Sequence, residues 1–356
     1  MQQRIPGFDL ARAYAIWGMF IVNFNVAFGH PADVSPLGQF LAFFNGNSST
    51  LFVMLAGMGL SILARGKADA AARRALRGVI LRRALFLFGA GLLLQLWWPA
   101  DILHFYGVYM CLAAWLLFVP QAAYLWAALG AVLVFHLGLV LIPFETGWDL
   151  TRLQYPDFWT PIGFLRNTFY NGWNPVFPWL AFFLTGMYLG RLDWSRKRLK
   201  NRLFLLGAAG WLAMLLLQGW AGSALSAGPW RDYLLADYLP PTLPFMIGTA
   251  SFSLMVLTLC VYAGEAWGQT RPALALAATG RMTLTHYVAH VTLGMILLAV
   301  LTGNTDLNAL PALPPEPPAL ILGFSTGLYG LSVVFSSWWS RRFPHGPMEG
   351  VMRRVG

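Results

Sequence analysis

Residues 121–142 read QAAYLWAALGAVLVFHLGLVLI, with no charged side chain among them. As a helix they rise about 1.5 Å per residue, or about 33 Å in all. That crosses a bilayer's hydrocarbon core of about 30 Å. The composition says what surrounds such a helix: 58% of the 356 residues are hydrophobic and 11% are charged. Soluble domains carry roughly 25% charged residues. A chain this poor in charge cannot cover a water-facing surface, so lipid is its main solvent.

Similar stretches lie on both sides, near 8–29, 40–64, 79–98, 102–119, 175–190, 203–222, 243–264, 282–302 and 318–340. With 121–142 they predict an all-α polytopic membrane protein of about ten spans. Short proline-bearing turns at Trp98-Pro99-Ala100-Asp101 and Val119-Pro120-Gln121 separate the third, fourth and fifth spans, as expected at helix boundaries. The first stretch, about Leu10 to Phe28, is read as a retained span rather than a cleaved signal. The whole chain, 1–356, is expected to be one transmembrane domain with a motif-bearing half at 1–142 and a second half at 175–356.

Charge placement orients the spans. With the N-terminus inside, the cytoplasmic segments hold Arg4, Arg12, seven basic residues from Arg65 to Arg83, six from Arg191 to Arg202, Arg271, Arg281, Arg341, Arg342, Arg353 and Arg354. That is 21 of the 24 basic residues, leaving Arg152, Arg166 and Arg231 outside. Such a bias puts both termini in the cytoplasm. The net charge of +10 and pI near 9.9 therefore fit topology control and anionic lipid. They do not mark a nucleic-acid-binding face, because the basic residues sit in short runs between apolar stretches. Cys111 and Cys260 lie within apolar stretches and read as small buried hydrophobes. Neither a disulfide framework nor a zinc spacing is present, so no metal is expected.

The outer segments carry aromatics and carboxylates. Loop 143–174 holds Glu145, Asp149 and Asp157 with Trp148, Trp159 and Trp173; loop 223–242 holds Asp232 and Asp237 with Trp230, Tyr233 and Tyr238. Either an interfacial aromatic belt or a lid over a site accounts for them. Residues 311–318 read as a stiff outer connector.

Polar residues at membrane depth are functional candidates because each is costly unless paired or hydrated. Asp9 and Arg12 stand one turn apart and can pair; Asn23 lies deeper on the same span, and Asn25 and His30 follow. The run Asn45-Gly46-Asn47-Ser48-Ser49-Thr50 predicts a helix start within the outer leaflet, capped by Ser48 or Ser49. Its free N–H groups would attract an anion or a carbonyl oxygen. Asp101 and His104, with Tyr106 close behind, share one face at the outer start of the fourth span. A carboxylate beside an imidazole can orient it and raise its basicity, although Asp101 equally suits a helix cap. His286 and His290 share a face of the ninth span past Arg281, and their depth predicts a hydrated cavity. His136 stands alone and reads as structural.

These residues carry a family likeness. Arg4-Ile5-Pro6-Gly7-Phe8-Asp9-Leu10-Ala11-Arg12 followed by Gly18-Met19-Phe20-Ile21-Val22-Asn23-Phe24 resembles the start of the YeiB-like proteins, the domain of unknown function 418 family. Leu51-Phe52-Val53-Met54-Leu55-Ala56-Gly57-Met58-Gly59 resembles that family's second span, and Asp101-Ile102-Leu103 with Tyr106 its fourth. Thr279-Gly280-Arg281-Met282-Thr283-Leu284-Thr285-His286-Tyr287 and His345-Gly346-Pro347-Met348-Glu349 resemble its C-terminal half. The family is similar to heparan-α-glucosaminide N-acetyltransferase and to the wider transmembrane acyltransferases.

The resemblance implies transfer of an acyl group from cytoplasmic acyl-CoA, acetyl-CoA first, to a hydroxyl or amine on a small-molecule, glycan or lipid acceptor at the outer side. It also implies the bacterial cytoplasmic (inner) membrane. In some relatives a histidine takes the place of Asn23, which cannot act as a base; His30 is the nearest match to the heparan enzyme's histidine. Acyl transfer needs a base and an oxyanion donor. His30, or His104 oriented by Asp101, would serve as base, and Asn23, Asn47 or Ser48 as donor. Arg73, Arg74, Arg77, Arg82 and Arg83, with Arg281, would hold CoA phosphates at the cytoplasmic mouth. Asp9, Arg12, Tyr106, His286 and His290 would line the cavity. Two other classes stay open: a proton-coupled transporter built on His286 and His290, and a non-catalytic membrane scaffold. The sequence leaves a homodimer open.

Overall fold

The computed structural model of the protein describes residues 5–30, 33–67, 69–235, 238–304 and 314–356. Arg4, Asp237 and residues 311–313 of the outer connector lie outside them. The helices are α1 (Pro6–Phe28), α2 (Pro36–Ala42), α3 (Asn47–Ala64), α4 (Ala70–Gln95), α5 (Leu103–Leu116), α6 (Gln121–Leu141), α7 (Pro161–Arg166), α8 (Val176–Gly190), α9 (Lys197–Ala224), α10 (Pro229–Leu235), α11 (Leu243–Trp267), α12 (Arg271–Arg281), α13 (Thr283–Ala289), α14 (Met295–Thr302), α15 (Pro318–Trp339) and α16 (Pro347–Val355). Wide π-helical turns follow α7 at Asn167–Asn171 and α13 at His290–Gly294.

The protein is an all-α polytopic membrane protein. Eight of its described helical segments are long and apolar enough to span: α1, α2–α3 together, α4, α6, α9, α11, α13–α14 together and α15. Apolar helices also lie at the two remaining expected positions, but α5 has 14 residues and α8 has 15. At 1.5 Å per residue each covers only about 21–23 Å, shorter than the eight. The prolines that bound these stretches shorten them, Pro120 after α5 and Pro175 before α8. The expected second span is broken by a turn around Gly46, whose φ of +71° suits glycine. The third span starts nine residues earlier than its apolar run, because Asp69 caps α4 by accepting the Ala72 N–H at 2.7 Å.

The described chain forms two compact units, one from residues within 1–52, 193–306 and 311–348, the other from 53–192 and 349–356. In the first, α1 is the central helix and packs against α11, α12 and α15. A Cβ on Gly280 would fall 1.9 Å from the Asp9 carbonyl oxygen, so only glycine lets α12 approach α1 this closely. Lys200, buried, reaches Glu265 at 2.5 Å and ties α9 to α11. Before α15, the Glu316 N–H donates to the Phe28 carbonyl at 2.6 Å.

In the second unit α4 packs along α5, and α6 along α8. Its arginines close helix ends. Arg65 donates to the Gly190 carbonyl, and to that of Leu192 at 3.0 Å. Arg191 donates to the carbonyls of Val119 at 2.6 Å and Leu117 at 2.7 Å, and to the Tyr124 hydroxyl at 2.6 Å. Last-turn carbonyls have no partner within their own helix, and a cation there is favoured by the helix dipole.

Candidate functional site

The α4–α5 joint builds the most chemically competent cluster in the second unit. The chain leaves α4 at Gln95, turns through Trp98 and Pro99, and enters α5 at Leu103. Asp101 sits at that entry and its Oδ2 accepts the His104 backbone N–H at 3.1 Å. The same Oδ2 lies 3.3 Å from His104 Nδ1. Cap and imidazole contact are therefore made by one oxygen, so the two sequence readings of Asp101 coexist. A carboxylate only accepts, which puts the hydrogen on Nδ1 and leaves Nε2 with a lone pair.

Both side chains are buried, Asp101 fully and His104 to 1% exposure. His104 Nε2 has no hydrogen-bond partner among the described residues. A buried polar atom left open calls for an explanation, and here it is the atom a general base would use. Gly91 of α4 makes the arrangement fit: a Cβ there would stand 2.1 Å from the His104 nitrogen and 2.6 Å from Asp101 Oδ2.

Three residues in or against this joint are ones that spacing arguments pass over. The indole N–H of buried Trp98 has no partner among the described residues, nor does Gln95 Oε1. The ring of Phe158 meets that of His104 edge to face at 5.8 Å. Their signal was placement in a short turn and in a long loop, which no periodicity reports.

Phe158 belongs to the segment between α6 and α8, which is hydrogen-bonded within itself. Arg166 donates to Asp157 at 2.5 Å and to the Tyr155 hydroxyl at 2.7 Å. Tyr155 donates to Asn171 Oδ1 at 2.7 Å, and Asn171 Nδ2 donates to the carbonyls of Phe144 at 2.6 Å and Thr146 at 2.8 Å. Burial pushes the Tyr155 phenol above its ordinary value, with the neighbouring Arg166 opposing. Trp148 packs on Trp173 at 5.5 Å, inside the loop, whereas Trp159 and Trp230 are exposed.

Other candidates lie elsewhere in this unit. Tyr106 is buried with its ring 5.6 Å from Tyr109. Arg73 donates to the Lys67 carbonyl at 3.0 Å and lies over Phe118; Arg77 donates to the Ala114 carbonyl at 3.1 Å and lies over Trp115. Arg74 and Arg82 are exposed, and Arg83 donates Nε and Nη2 to the Gly356 carbonyl, each at 3.2 Å.

The first unit holds the remaining candidates. Arg12 Nη1 pairs with Asp9 at 2.9 Å. Arg281, half-buried, ends α12. His290 is fully buried. Its Nδ1 donates to the His286 carbonyl at 3.1 Å, so Nε2 accepts from Asn23 Nδ2 at 2.8 Å. Phe20 stacks on this ring at 4.5 Å and Phe24 meets it edge-on. His286 Nε2 lies 2.6 Å from Ser336 Oγ. The Asn23, His286 and Ser336 contacts and the Phe20 and Phe24 rings surround these histidines in the structure.

The cap expected of Ser48 or Ser49 does not form. The helix starts at Asn47, and Ser49 Oγ donates to the Gly46 carbonyl instead of accepting. The Ser48 and Thr50 amides bond to the Phe44 and Gly46 carbonyls at 3.2 and 2.8 Å, because the preceding turn supplies acceptors. Asn47 Nδ2 donates to the Phe43 carbonyl at 2.7 Å. Ser48 Oγ is buried with no partner among the described residues. His30 is exposed just beyond α1, near Asp33. His136 Nδ1 bonds back to the Val132 carbonyl at 2.8 Å. Among the described residues, no three His, Cys, Asp or Glu side chains gather to hold a metal.

Comparison with known families agrees along the chain. The family model described as heparan-alpha-glucosaminide N-acetyltransferase, catalytic, matches residues 4–222. The model described as protein of unknown function (DUF418) matches residues 187–356. No curated protein matches the chain. Since the first model alone takes in more than half of the sequence, the chain belongs to the heparan-alpha-glucosaminide N-acetyltransferase catalytic family, joined to a DUF418 (YeiB-like) C-terminal half.

Proposed function

We infer that the protein is a membrane acyltransferase that moves an acyl group from cytoplasmic acyl-CoA to a hydroxyl or amine at the outer side of a bacterial cytoplasmic membrane. The observation that carries this reading is the buried His104, held at Nδ1 by Asp101 and open at Nε2. Family membership supports the reaction class.

In the proposed step the acceptor O–H or N–H gives its proton to His104 Nε2 while the acceptor atom attacks the thioester carbonyl carbon. The C–S bond then breaks, and CoA departs as the thiol after taking a proton. Asp101 holds the imidazole and steadies the imidazolium that forms, as a carboxylate partner does in acyl-transfer triads. The open Trp98 N–H in the same joint is the donor best matched to the developing oxyanion. Both termini face the cytoplasm in this scheme, in line with the basic segments.

The test is release of free CoA from acetyl-CoA by the purified protein in lipid nanodiscs, with candidate acceptors supplied. His104→Ala should lower turnover by about two to four orders of magnitude, the range of general base catalysis, while acetyl-CoA still binds. Full turnover in His104→Ala would remove the proposed base. If His30→Ala alone abolishes turnover, the base is His30 and the dyad is structural.

A further inference from the structure

The serines of α15 follow one habit, and Ser336 departs from it. A serine inside a helix commonly donates its hydroxyl to the carbonyl four residues before it. Ser325, Ser332 and Ser337 do so at 2.7, 3.0 and 2.8 Å. Ser336 instead sets its Oγ 2.6 Å from Nε2 of His286 on α13. Among the described residues no other acceptor takes the Ser336 hydrogen, so the hydroxyl donates and the imidazole accepts. A serine hydroxyl held on a ring nitrogen at this distance is the arrangement of a nucleophile with its base. The ring is set in place from two sides. Phe335 meets it edge-on at 6.2 Å, and the His286 carbonyl accepts from His290 Nδ1 at 3.1 Å.

Position gives the two residues a side of the membrane. His286 is the fourth residue of α13, and Ser336 is the fourth from the end of α15. Each therefore stands about 4.5 Å from its helix end. Arg281 precedes the first of these ends, and Arg341 and Arg342 follow the second. Basic flanks assign both ends to the cytoplasm, the side on which a soluble acyl thioester arrives. The Met348 N–H donates to the Thr285 hydroxyl at 3.0 Å, so the segment after α15 folds back beside His286. His286 is 3% exposed and Ser336 is fully buried. An ester formed there is shielded from bulk water.

We propose that Ser336 and His286 form a second acyl-handling site, separate from His104, in which Ser336 carries the acyl group as an ester. The Ser336 hydroxyl gives its proton to His286 Nε2 as Oγ attacks the thioester carbonyl carbon. The C–S bond breaks, and the sulfur leaves as the thiol with the proton from Nε2. An acceptor hydroxyl, amine or water then gives a proton to Nε2 and attacks the ester carbonyl, and Ser336 Oγ leaves with that proton. The thioester as donor rests on the acyltransferase reading, whereas the activated hydroxyl does not.

The experiment uses the full chain in lipid nanodiscs and two probes. A fluorophosphonate, which phosphonylates activated serines, tests the hydroxyl without CoA. Radiolabelled acetyl-CoA, quenched rapidly in denaturant, tests the ester, and peptide mass spectrometry locates either label. Both probes should mark Ser336. Neither should do so in Ser336→Ala, and His286→Gln should slow labelling by about two to four orders of magnitude. Absence of fluorophosphonate at Ser336 in the unmodified protein overturns the nucleophile, as does an unchanged labelling rate in a His286→Gln protein that melts normally. Fluorophosphonate labelling without an acetyl ester, in protein that binds acetyl-CoA, overturns the ester step. Fluorophosphonate labelling in protein that binds no acyl-CoA supports the nucleophile and removes the acyltransferase reading instead, so the two failures are distinguishable. The deciding readouts are made on the unmodified chain, so they stand even if a variant does not fold.

Discussion

Adding one methyl group at Gly91 should disable the protein. A Cβ there would stand 2.1 Å from the His104 nitrogen, 2.6 Å from Asp101 Oδ2 and 2.8 Å from His104 Cα. Two of these atoms are backbone and cannot swing aside. Restoring ordinary contact at 3.4 Å requires α4 and α5 to part by about 1.3 Å. Overpacking of this kind costs about 1–3 kcal/mol. The chemical effect should exceed the stability effect. The movable atom is Asp101 Oδ2, 2.6 Å from that Cβ, and pushing it aside weakens a His104 Nδ1 contact that is already long at 3.3 Å. The expected result for Gly91→Ala is a modest fall in melting temperature, near-normal acetyl-CoA binding and CoA release reduced at least a hundredfold, the lower end for a lost acid–base group. Gly89→Ala is the control, since a Cβ there meets nothing within 4 Å. Normal turnover by a normally folded Gly91→Ala protein would refute the dependence of the chemistry on this joint.

Asp101→Asn retains a capping oxygen for α5 but removes the carboxylate from His104; steady-state kinetics should show kcat down about 10²–10⁴-fold with KM little changed. Asn23→Leu leaves the buried His290 Nε2 without its donor, and thermal melts should report a loss of about 1–3 kcal/mol; an unchanged melt would mean that the Asn23–His290 bond contributes nothing. The Asp69 carboxyl is held below its ordinary value chiefly by the Ala72 N–H. A lowered folded value means that its capping contribution is complete above the unfolded value and is lost as pH falls through the lowered one. Hydrogen exchange at Ala72 and Arg73 should therefore rise in Asp69→Ala at neutral pH, and the difference should close in acid.

The apolar runs made the membrane class and the helix positions legible, because lipid obliges the chain to satisfy its backbone within helices. What they misjudged was length and continuity. Proline boundaries shorten α5 and α8, and Gly46 divides the second stretch. Asp69 extends α4 beyond its apolar core. At the site, Asp101 and His104 were legible because a spacing of three on a helix is a geometric statement. Gly91, Trp98 and Phe158 were not, since their roles depend on which helix and loop pack against α5. For the histidines at 286 and 290 the shared face was legible, but their partners Asn23 and Ser336 come from distant sequence and were not.

The arginines at the helix ends carry two messages in one residue. A translocon counting charge would read Arg191 only as one more cation between two apolar helices, and lysine would deliver that message unchanged. The finished protein uses Arg191 differently, as a planar fork that gathers the Val119 and Leu117 carbonyls and the Tyr124 hydroxyl, which a compact ammonium cannot reproduce. Insertion and maturation are therefore separable here: a chain can thread the membrane in the right orientation and still fail at the later stage, when its helix ends must find each other. A reporter of topology would pass such a chain, and only a measure of compactness would expose it.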